Sequence, residues 1–281
     1  MKVLVTGGTG VIGRELVARL RERGVAVRVL SRRGGPGPGD GSSHGGLPGD
    51  GSVQGDLNTG AGLAAAVAGV DVIAHCASAT NYRRPEQDVE QVRNLLAALG
   101  SARPHLLYIS IVGVDRVRFG YYRAKLATEK LIASSGLPWT TLRTTQFHDF
   151  VLMFLLLLTK PPVVPLPRGF RAQPVDVAEV ADRMATLALG EPAGRVPDLG
   201  GPRVESMDEL TRWFLRLRGQ RKLVLPVPVP GRIAADFRAG GHLLGPDGVT
   251  GGRDFAEYVR DRMGPDGTIE MPYQLKGRLQ G

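Results

Sequence analysis

The stretch Met1-Lys-Val-Leu-Val-Thr-Gly-Gly-Thr-Gly-Val-Ile-Gly13 decides the fold. Its apolar residues 3–5 predict a buried strand, glycines come directly after it, and apolar residues then recur with the period of a helix that ends at Gly24. Glycines between a strand and a helix permit a tight turn and let a pyrophosphate approach bare backbone at the helix N-terminus. The sequence therefore predicts a dinucleotide site formed by Gly7, Thr9, Gly10, Val11, Ile12 and Gly13.

The second predicted strand, residues 25–30, ends at the position that selects between the two nicotinamide cofactors. An Asp or Glu there binds the hydroxyls of the adenosine ribose and repels a 2′-phosphate. Ser31 fills the position in this chain, and Arg32 and Arg33 come next. Because a guanidinium suits phosphate oxygens, these residues favour NADP(H) over NAD(H), the alternative being two arginines that are merely solvated.

The composition is that of a globular protein, with 42% hydrophobic and 22% charged residues in a chain of 281. One cysteine, Cys76, excludes an internal disulfide and indicates a reducing compartment. Met1 leads directly into a strand, so we expect no signal peptide. The longest apolar run, residues 150–158, is shorter than the roughly 20 residues of a membrane span. We expect a cytoplasmic monomer or homodimer with no membrane partner.

The formal net charge of +9 raises the question of nucleic acid. The arginines are dispersed, however, and no motif interleaves them with aromatic residues, so we expect no nucleic-acid partner. An anionic dinucleotide and a small-molecule substrate are sufficient partners for this charge. His, Cys, Asp and Glu residues nowhere show the spacing of metal ligands, so we expect no metal.

Strand and helix signals alternate up to about Leu142, which predicts a parallel sheet with helices on both faces. Further strands are predicted at 52–55, 71–75, 106–111 and 139–143, and helices at 62–68, 86–99 and 121–134. Glycine and proline at residues 34–51 predict a loop or disorder. We expect a dinucleotide-binding domain at 1–146, a mixed substrate-binding lobe interleaved with the main sheet at 147–263 and a weakly ordered tail at 264–281.

The alternation loosens after Arg143. Residues 147–159 predict an apolar helix over the site, and the prolines at 161, 162, 165 and 167 are expected to interrupt regular structure beyond that helix. Two amphipathic helices, 177–189 and 207–217, and an extended segment at 223–229 complete the lobe. The apolar wall of a substrate pocket is assigned to Phe147, Phe150, Leu152, Met153 and Phe154.

Tyr121 and Lys125 are the candidate catalytic pair. They lie one turn apart on one face of a predicted helix, where the ammonium favours the phenolate form of the phenol. A phenol of this kind can protonate a carbonyl oxygen that receives a hydride. The alternatives are a half-buried ring beside a solvated lysine, and Tyr122 as the acid, although Tyr122 has no lysine four residues further on.

The order of these motifs along the chain resembles that of the short-chain dehydrogenase/reductase superfamily. More narrowly, it is similar to that of the extended and atypical, NmrA-like members. The resemblance covers residues 1–217 and also rests on Gly55-Asp-Leu57, His75-Cys-Ala-Ser78 and Gln173-Pro-Val-Asp176. It implies an α/β fold of the Rossmann type, a doubly wound parallel sheet with a small C-terminal substrate lobe. It further implies that Asp56 and Leu57 meet the adenine, that Cys76, Ala77 and Ser78 line the nicotinamide side, and that Lys125 holds the nicotinamide ribose while Tyr121 faces the substrate.

Two positions depart from the pattern of that family. Its enzymes carry a Ser or Thr in the loop after the fifth strand, and Val112 fills this slot here, with Ser110 two residues earlier. The third polar group is therefore Ser110, Thr80 or Asn81, or it is absent. Arg143 is also followed by threonine where the family often has proline.

Three other residues have weaker claims to a role. His148 and Asp149 are predicted either as an acid–base pair near the substrate or as a capping or solvated pair, and His75 as a packed side chain. Taken together, the motifs predict an NADPH-dependent oxidoreductase that reduces a carbonyl, quinone or enone of a small apolar substrate. Two alternatives stay open: a redox-neutral cyclase or isomerase with the same fold, and a non-catalytic NADP(H)-sensing regulator of the NmrA type.

Overall fold

The computed structural model describes residues 1–32, 51–78 and 84–269. The chain divides into two compact units, and neither is one continuous stretch of sequence. The first unit comprises Met1–Ser110, Phe119–Arg143 and Ala178–Pro197, and the second comprises Ile111–Arg118, Thr144–Val177 and Asp198–Gly281. The predicted division at residue 146 stays a prediction.

The secondary structure of the described residues follows the predicted alternation. The strands are β1 (Lys2–Thr6), β2 (Ala26–Ser31), β3 (Gly51–Gln54), β4 (Val72–His75), β5 (His105–Ile111), β6 (Trp139–Thr144), β7 (Val163–Pro167), β8 (Arg171–Ala172), β9 (Gly194–Arg195), β10 (Leu199–Gly200), β11 (Glu205–Ser206), β12 (Leu223–Val227) and β13 (Val249–Thr250). The helices are α1 (Val11–Glu22), α2 (Leu63–Val67), α3 (Gln87–Ala98), α4 (Gly120–Ala133), α5 (His148–Leu158), α6 (Val177–Leu189), α7 (Met207–Leu217), α8 (Arg232–Arg238) and α9 (Phe255–Arg260).

The sheet of the first unit has the strand order β3-β2-β1-β4-β5-β6, and β1 pairs in parallel with both β2 and β4. The chain thus places β2 and β3 on one side of β1 and the later strands on the other. Ligands of such sheets bind outside the carboxyl ends of the strands where the order reverses, which here lies between β1 and β4. The predicted doubly wound, Rossmann-type α/β fold is confirmed.

Apolar strands are buried in the core of the first unit because helices cover the sheet. Leu4, Ile73 and Leu106 of the strands pack with Val92 and Leu95 of α3, and each of these side chains is buried. Runs of apolar residues without alternation are typical of parallel strands that are covered on both faces. The short apolar segments in the sequence therefore predicted central strands correctly.

Two local predictions can be checked at glycines. Gly24 has a φ of +73° just after α1 ends, as the predicted stop requires. Gly51 was predicted as loop, but it begins β3, because Gly51 pairs with Arg28 of β2. The rest of the predicted loop, 34–50, lies outside the described residues.

The second unit has an apolar core of its own. Leu152 and Leu155 of α5 pack with Phe214 of α7 and with Phe255 and Tyr258 of α9. Sequence periodicity did not predict α8 and α9, because helices of 7 and 6 residues are too short to repeat a pattern. None of the helices described is long and apolar enough to cross a membrane.

The prolines after α5 were predicted to interrupt regular structure. This prediction is wrong at Pro165 and Pro167, which lie within strand β7. This strand pairs in parallel with β12, and the N–H of Arg168 donates to the carbonyl oxygen of Val227 at 2.9 Å. With a strand period of two, the backbone nitrogens of residues 165 and 167 point away from β12. Proline is tolerated at these positions because no hydrogen bond of the ladder is lost.

Candidate dinucleotide and catalytic site

The glycine turn after β1 packs directly against the segment after β4. Gly7 has a φ of +67°, and a Cβ there would lie 2.7 Å from the backbone nitrogen of Ala77. A Cβ on Gly13 would overlap the carbonyl oxygen of Gly7, and the N–H of Gly10 donates to that same oxygen at 2.8 Å. The structure therefore brings the predicted pyrophosphate turn together with Cys76 and Ala77, at the point where the strand order reverses.

Helix α1 begins at Val11 and presents an N-terminus that suits an anion. Its first turn carries no acidic residue, and the first N–H groups of a helix have no partner within the helix. Among the described residues beyond its chain neighbours, a Cβ built on Gly10 would meet the oxygen of Gly7 at 3.2 Å and no other atom within 4 Å. Arg14 Nε donates to the carbonyl oxygen of Thr9 at 2.8 Å, at the edge of the same turn. This geometry fits a dinucleotide whose pyrophosphate lies on bare backbone.

The residues assigned to the adenosine end come after β2 and β3, which are neighbours in the sheet. The N–H of Gly55 donates to the carbonyl oxygen of Ser31 at 3.0 Å, and Arg32 is exposed. Asp56 Oδ1 accepts a hydrogen bond from the backbone N–H of Asn58 at 2.9 Å, a contact that stabilises the turn of the loop after β3. Arg33, the second predicted phosphate ligand, lies outside the described residues.

Three amides of α3 hold the loop after β3, a feature that sequence reasoning missed. Gln87 Nε2 and Gln91 Nε2 donate to Asn58 Oδ1 at 2.7 and 2.9 Å. Asn94 Nδ2 donates to the carbonyl oxygen of Leu57 at 2.8 Å. Residues 87, 91 and 94 share one face of a helix, so their spacing was the available signal. The loop assigned to the adenine is therefore fixed to α3.

Lys125 lies at the centre of the candidate catalytic site, with only 2% of its surface exposed. Its Nζ is 2.5 Å from Ser78 Oγ and 3.2 Å from Asp88 Oδ2. The ring centres of Tyr108 and Tyr121 lie 5.1 and 5.8 Å from the same Nζ. The structure thus brings the predicted pair of Tyr121 and Lys125 together with Ser78, and it adds two residues that the sequence did not single out, Asp88 and Tyr108.

Burial and the neighbouring groups together set the protonation states at and around this ammonium. Burial opposes the charge of Lys125, but Tyr108, Tyr121 and Asp88 outweigh it and raise the pKa of the lysine. Burial also raises the pKa of Tyr108 to about 12, although Lys125 acts in the opposite direction. The lysine therefore stays an ammonium and Tyr108 stays a neutral phenol at neutral pH.

The two residues at the end of β4 are uncharged for the same reason. Burial, assisted by the charge of Lys125, lowers the pKa of His75 to about 3. Burial raises the pKa of the Cys76 thiol to about 12 against the influence of that lysine. His75 Nδ1 is 2.8 Å from Thr6 Oγ1, and its ring stacks on Tyr108 at 5.6 Å. His75 is thus a packed side chain, as expected.

The candidates for the proton donor and the third polar group differ in their surroundings. Tyr121 is half-buried in the first turn of α4, whereas Tyr122 is buried and packs edge-on against Phe119 at 6.0 Å. Ser110 is buried near the end of β5, and its Oγ has no hydrogen-bond partner among the described residues. Such an orphaned hydroxyl needs an explanation, and a bound ligand is one. The other candidates, residues 80 and 81, lie outside the described residues, and Val112 is fully buried.

His148 and Asp149 are neither capping nor solvated, because both are buried in the second unit. His148 Nε2 is 3.1 Å from the carbonyl oxygen of Pro174, and Tyr258 donates its hydroxyl proton to Asp149 Oδ1 at 2.5 Å. Burial lowers the pKa of His148 to about 4 and raises the pKa of Asp149. The N-cap of α5 is Phe147. These contacts give both residues a packing role.

The apolar wall predicted on α5 needs one correction. Leu152 is fully buried in the core of the second unit because it lies on the inward face of the helix, so it cannot line a pocket. Phe150 and Phe154 are 48% and 37% exposed, and Phe147 and Met153 are half-buried. The assignment of these four residues to a substrate pocket stays a prediction.

Residues 7–187, well over half of the chain, match the NAD(P)H-binding family. The protein belongs to this family. The match confirms the resemblance to the atypical, NmrA-like short-chain dehydrogenases/reductases, and it establishes a nicotinamide dinucleotide as the class of cofactor. Among the described residues, His, Cys, Asp and Glu form no group of three that could hold a metal ion.

Known relatives of this NAD(P)H-binding protein include reductases. The chain is 31% identical over 224 residues to a (4-alkanoyl-5-oxo-2,5-dihydrofuran-3-yl)methyl phosphate reductase from Streptomyces griseus, covering 78% of this chain and 74% of the relative. Its fold is similar to that of an NADPH-dependent quinone oxidoreductase from Escherichia coli, with a TM-score of 0.70, 20% identity and coverage of 92% and 98% of the two chains. A triphenylmethane reductase from Citrobacter sp. gives a TM-score of 0.69 at 19% identity, covering 88% of this chain and 92% of that chain. The fold is thus of the NAD(P)-binding oxidoreductase type.

Proposed function

We propose that the protein is an NADPH-dependent oxidoreductase that reduces a carbonyl, quinone or enone of a small, largely apolar substrate. The observation that carries this proposal is the buried ammonium of Lys125, whose Nζ lies 5.8 Å from the centre of the Tyr121 ring. An ammonium beside a phenol favours release of the phenolic proton, which is what a general acid in carbonyl reduction requires.

NADPH is the cofactor that the end of β2 suits best. Ser31 stands where an acid would repel a 2′-phosphate, and the exposed guanidinium of Arg32 is next to it in the chain. Arg33 is the next residue in the sequence, and a pair of guanidiniums would form charge-assisted hydrogen bonds to phosphate oxygens. These residues support NADP(H) over NAD(H).

The remaining cofactor contacts are assigned along the edge where the strands end. The turn residues Gly7, Thr9, Gly10, Val11, Ile12 and Gly13 would hold the pyrophosphate on backbone N–H groups. Asp56 and Leu57 would meet the adenine, in a loop that α3 holds in place. Cys76, Ala77 and Ser78 would line the nicotinamide side, since they contact the glycine turn and Lys125.

When bound, the nicotinamide supplies the hydride. Lys125 would hold the nicotinamide ribose through its ammonium and keep positive charge beside the phenol of Tyr121. Tyr121 would donate its proton to the substrate oxygen on which charge develops. Ser110 would bind the same oxygen as a third polar group, a role that its buried and unpartnered hydroxyl supports.

The substrate class is inferred from the chemistry in the name of the Streptomyces griseus relative. That name describes a ring with a carbonyl and a double bond, which bears an alkanoyl group and a methyl phosphate. Carbonyl and enone groups of this kind accept a hydride and a proton in sequence. The relative therefore supports an activated carbonyl compound as the substrate of this protein, and the net charge of +9 is compatible with an anionic one.

The test is oxidation of NADPH, followed by its absorbance, with a panel of enones, quinones and aromatic ketones. Tyr121→Phe should lose about 10²–10⁴-fold in kcat while binding NADPH nearly normally, because the phenol acts on the substrate. Tyr122→Phe is the matched control, because it removes a phenolic hydroxyl from the neighbouring residue. This variant should keep its turnover. Full activity of Tyr121→Phe would overturn the mechanism.

Two other outcomes would replace the proposal by its alternatives. Turnover of a substrate without any change in NADPH absorbance would identify a redox-neutral cyclase or isomerase. No turnover with any compound, together with a protein partner whose affinity differs between the NADP⁺ and NADPH forms, would identify a sensor.

A further inference from the structure

Asp88 is a buried acid to which the proposed reduction assigns no role. It is the second residue of α3, only 2% of its surface is exposed, and its Oδ2 lies 3.2 Å from Lys125 Nζ. A buried carboxylate is costly unless a cation or hydrogen-bond donors compensate it. Lys125 of α4 is that cation, so the ion pair joins two helices at the candidate catalytic site.

The position of Asp88 in its helix also favours the negative charge. The first turn of a helix is the positive end of its dipole, and Asp88 lies in the first turn of α3. Ser78 Oγ contacts the ammonium of Lys125 at 2.5 Å, from the segment after β4. The ammonium is therefore held between two elements, with the carboxylate on α3 and the hydroxyl after β4.

The groups that act on this ammonium can be compared by charge. They are His75, Cys76, Ser78, Asp88, Tyr108 and Tyr121, from β4 and the segment after it, α3, β5 and α4. Burial lowers the pKa of His75 to about 3 and raises the pKa of Cys76 and of Tyr108 to about 12, so these three are neutral at pH 7. Among the six residues, Asp88 is thus the one carboxylate that can compensate the lysine.

We propose that Asp88 is a positioning residue that acts at Lys125: it holds the ammonium in place and compensates its charge. Asp88 thereby sets the net positive charge that the site presents to the nicotinamide ring and to Tyr121. The part that concerns Tyr121 rests on the proposed function, whereas the part that concerns the cofactor requires only that NADP(H) binds.

The cofactor part has a direct consequence for binding. The oxidised nicotinamide ring carries a positive charge and the reduced ring carries none. With Asp88 in place, the charge of Lys125 is largely compensated, so the site repels NADP⁺ only weakly. Without the carboxylate, the charge of the ammonium is no longer compensated and repels the oxidised ring. NADP⁺ should therefore lose affinity relative to NADPH.

The test variant is Asp88→Asn, which keeps the size and an acceptor oxygen but removes the charge. Dissociation constants are measured for NADP⁺ and for NADPH by titration calorimetry. We expect their ratio, NADP⁺ over NADPH, to rise about tenfold. In a reductase assay, the alkaline limb of the pH profile of kcat/KM should move about one pH unit lower, because an uncompensated ammonium favours the phenolate.

The matched control is Glu90→Gln, which makes the same chemical change at an exposed position of the same helix. It should leave both the ratio and the pH profile unchanged. A second pair of variants covers a failure of Asp88→Asn to fold. Lys125→Met should be destabilised because it leaves the buried carboxylate unpaired, and adding Asp88→Asn to it should restore stability and raise the ratio relative to Lys125→Met alone.

The outcomes separate this inference from the proposed function. A raised ratio in a protein that reduces no compound would support Asp88 and reject the reductase. An active reductase in which Asp88→Asn changes neither the ratio nor the pH profile would overturn the inference, even if the melting temperature fell. An equal effect of Glu90→Gln would overturn it as well, because the effect would then be general to the charge of the protein.

Discussion

Replacement of Gly7 by alanine tests the packing of the dinucleotide turn, and Gly24→Ala is its matched control. Both glycines are left-handed, with φ of +67° and +73°. They differ in their surroundings: a Cβ at Gly7 would lie 2.7 Å from the nitrogen and 2.8 Å from the Cα of Ala77, whereas no described residue beyond the chain neighbours lies within 4 Å of a Cβ at Gly24. The pair therefore separates the conformational cost from the steric cost.

The expected magnitudes come from this difference. A left-handed alanine costs about 1–2 kcal/mol, and part of this is offset because alanine restricts the unfolded chain by about 0.4–1 kcal/mol. Gly24→Ala should therefore lower the free energy of unfolding by about 1 kcal/mol. At Gly7 the obstructing atoms are backbone atoms that cannot rotate away, and overpacking adds about 1–3 kcal/mol. Gly7→Ala should lose about 2–4 kcal/mol.

The free energies are measured by urea denaturation and the affinity for NADPH by fluorescence titration. Gly24→Ala should bind NADPH as the unmodified protein does, because it lies at the other end of α1. Gly7→Ala should lose most of its affinity, since the turn must move away from Cys76 and Ala77. Equal losses of stability in the two variants, or normal NADPH affinity in Gly7→Ala, would refute the packing that we describe.

Three further predictions concern separate parts of the molecule. Gly10→Val should stay folded, because φ of −82° and ψ of −177° suit a branched residue, and should lose NADPH binding in a titration; retained affinity would mean that the pyrophosphate lies elsewhere. The double variant Arg32→Ala, Arg33→Ala should lose about tenfold in preference for NADPH over NADH, as measured by the two dissociation constants, and an unchanged preference would remove the 2′-phosphate site. Tyr258→Phe should destabilise the fold by about 1–3 kcal/mol at pH 7, because it removes the donor to the buried carboxyl of Asp149. Burial raises the pKa of that carboxyl above 3.8, so its protonated form favours folding and the loss in urea denaturation should shrink as the pH falls through the raised pKa; a loss that does not change with pH would contradict this account.

Several features of the fold were predictable because their causes are local. The glycine turn, the apolar strands and the helical period of α1 each depend on residues within about a dozen positions, so steric freedom and periodicity reveal them. The pairing of Tyr121 with Lys125 is local in the same sense, since one helical turn separates them. The family resemblance then supplied the doubly wound, Rossmann-type arrangement of the sheet, which no local signal contains.

The second unit shows where such signals fail. The prolines of β7 suggested that regular structure is interrupted after α5. The sequence does not show that β12 pairs with β7 along the edge to which residues 165 and 167 donate no N–H. Leu152 was assigned to a pocket because it is apolar, but the choice between a core and a pocket depends on which face of α5 is covered. Helices α8 and α9 are too short to carry a period.

The sequence by itself determined the glycine turn after β1, the alternating α/β fold and the spacing of Tyr121 and Lys125 by one helical turn. The tertiary structure alone decided which groups surround Lys125. Residues 88 and 125 are 37 positions apart in the chain, and yet Asp88 Oδ2 lies 3.2 Å from Lys125 Nζ. The physical reason is that parallel strands are joined by crossovers, so residues far apart in sequence meet where neighbouring strands and helices end. In the sequence, Asp88 looks like any acidic residue in the first turn of a helix. Its contact with Lys125 exists only in the fold, where α4 lies beside α3.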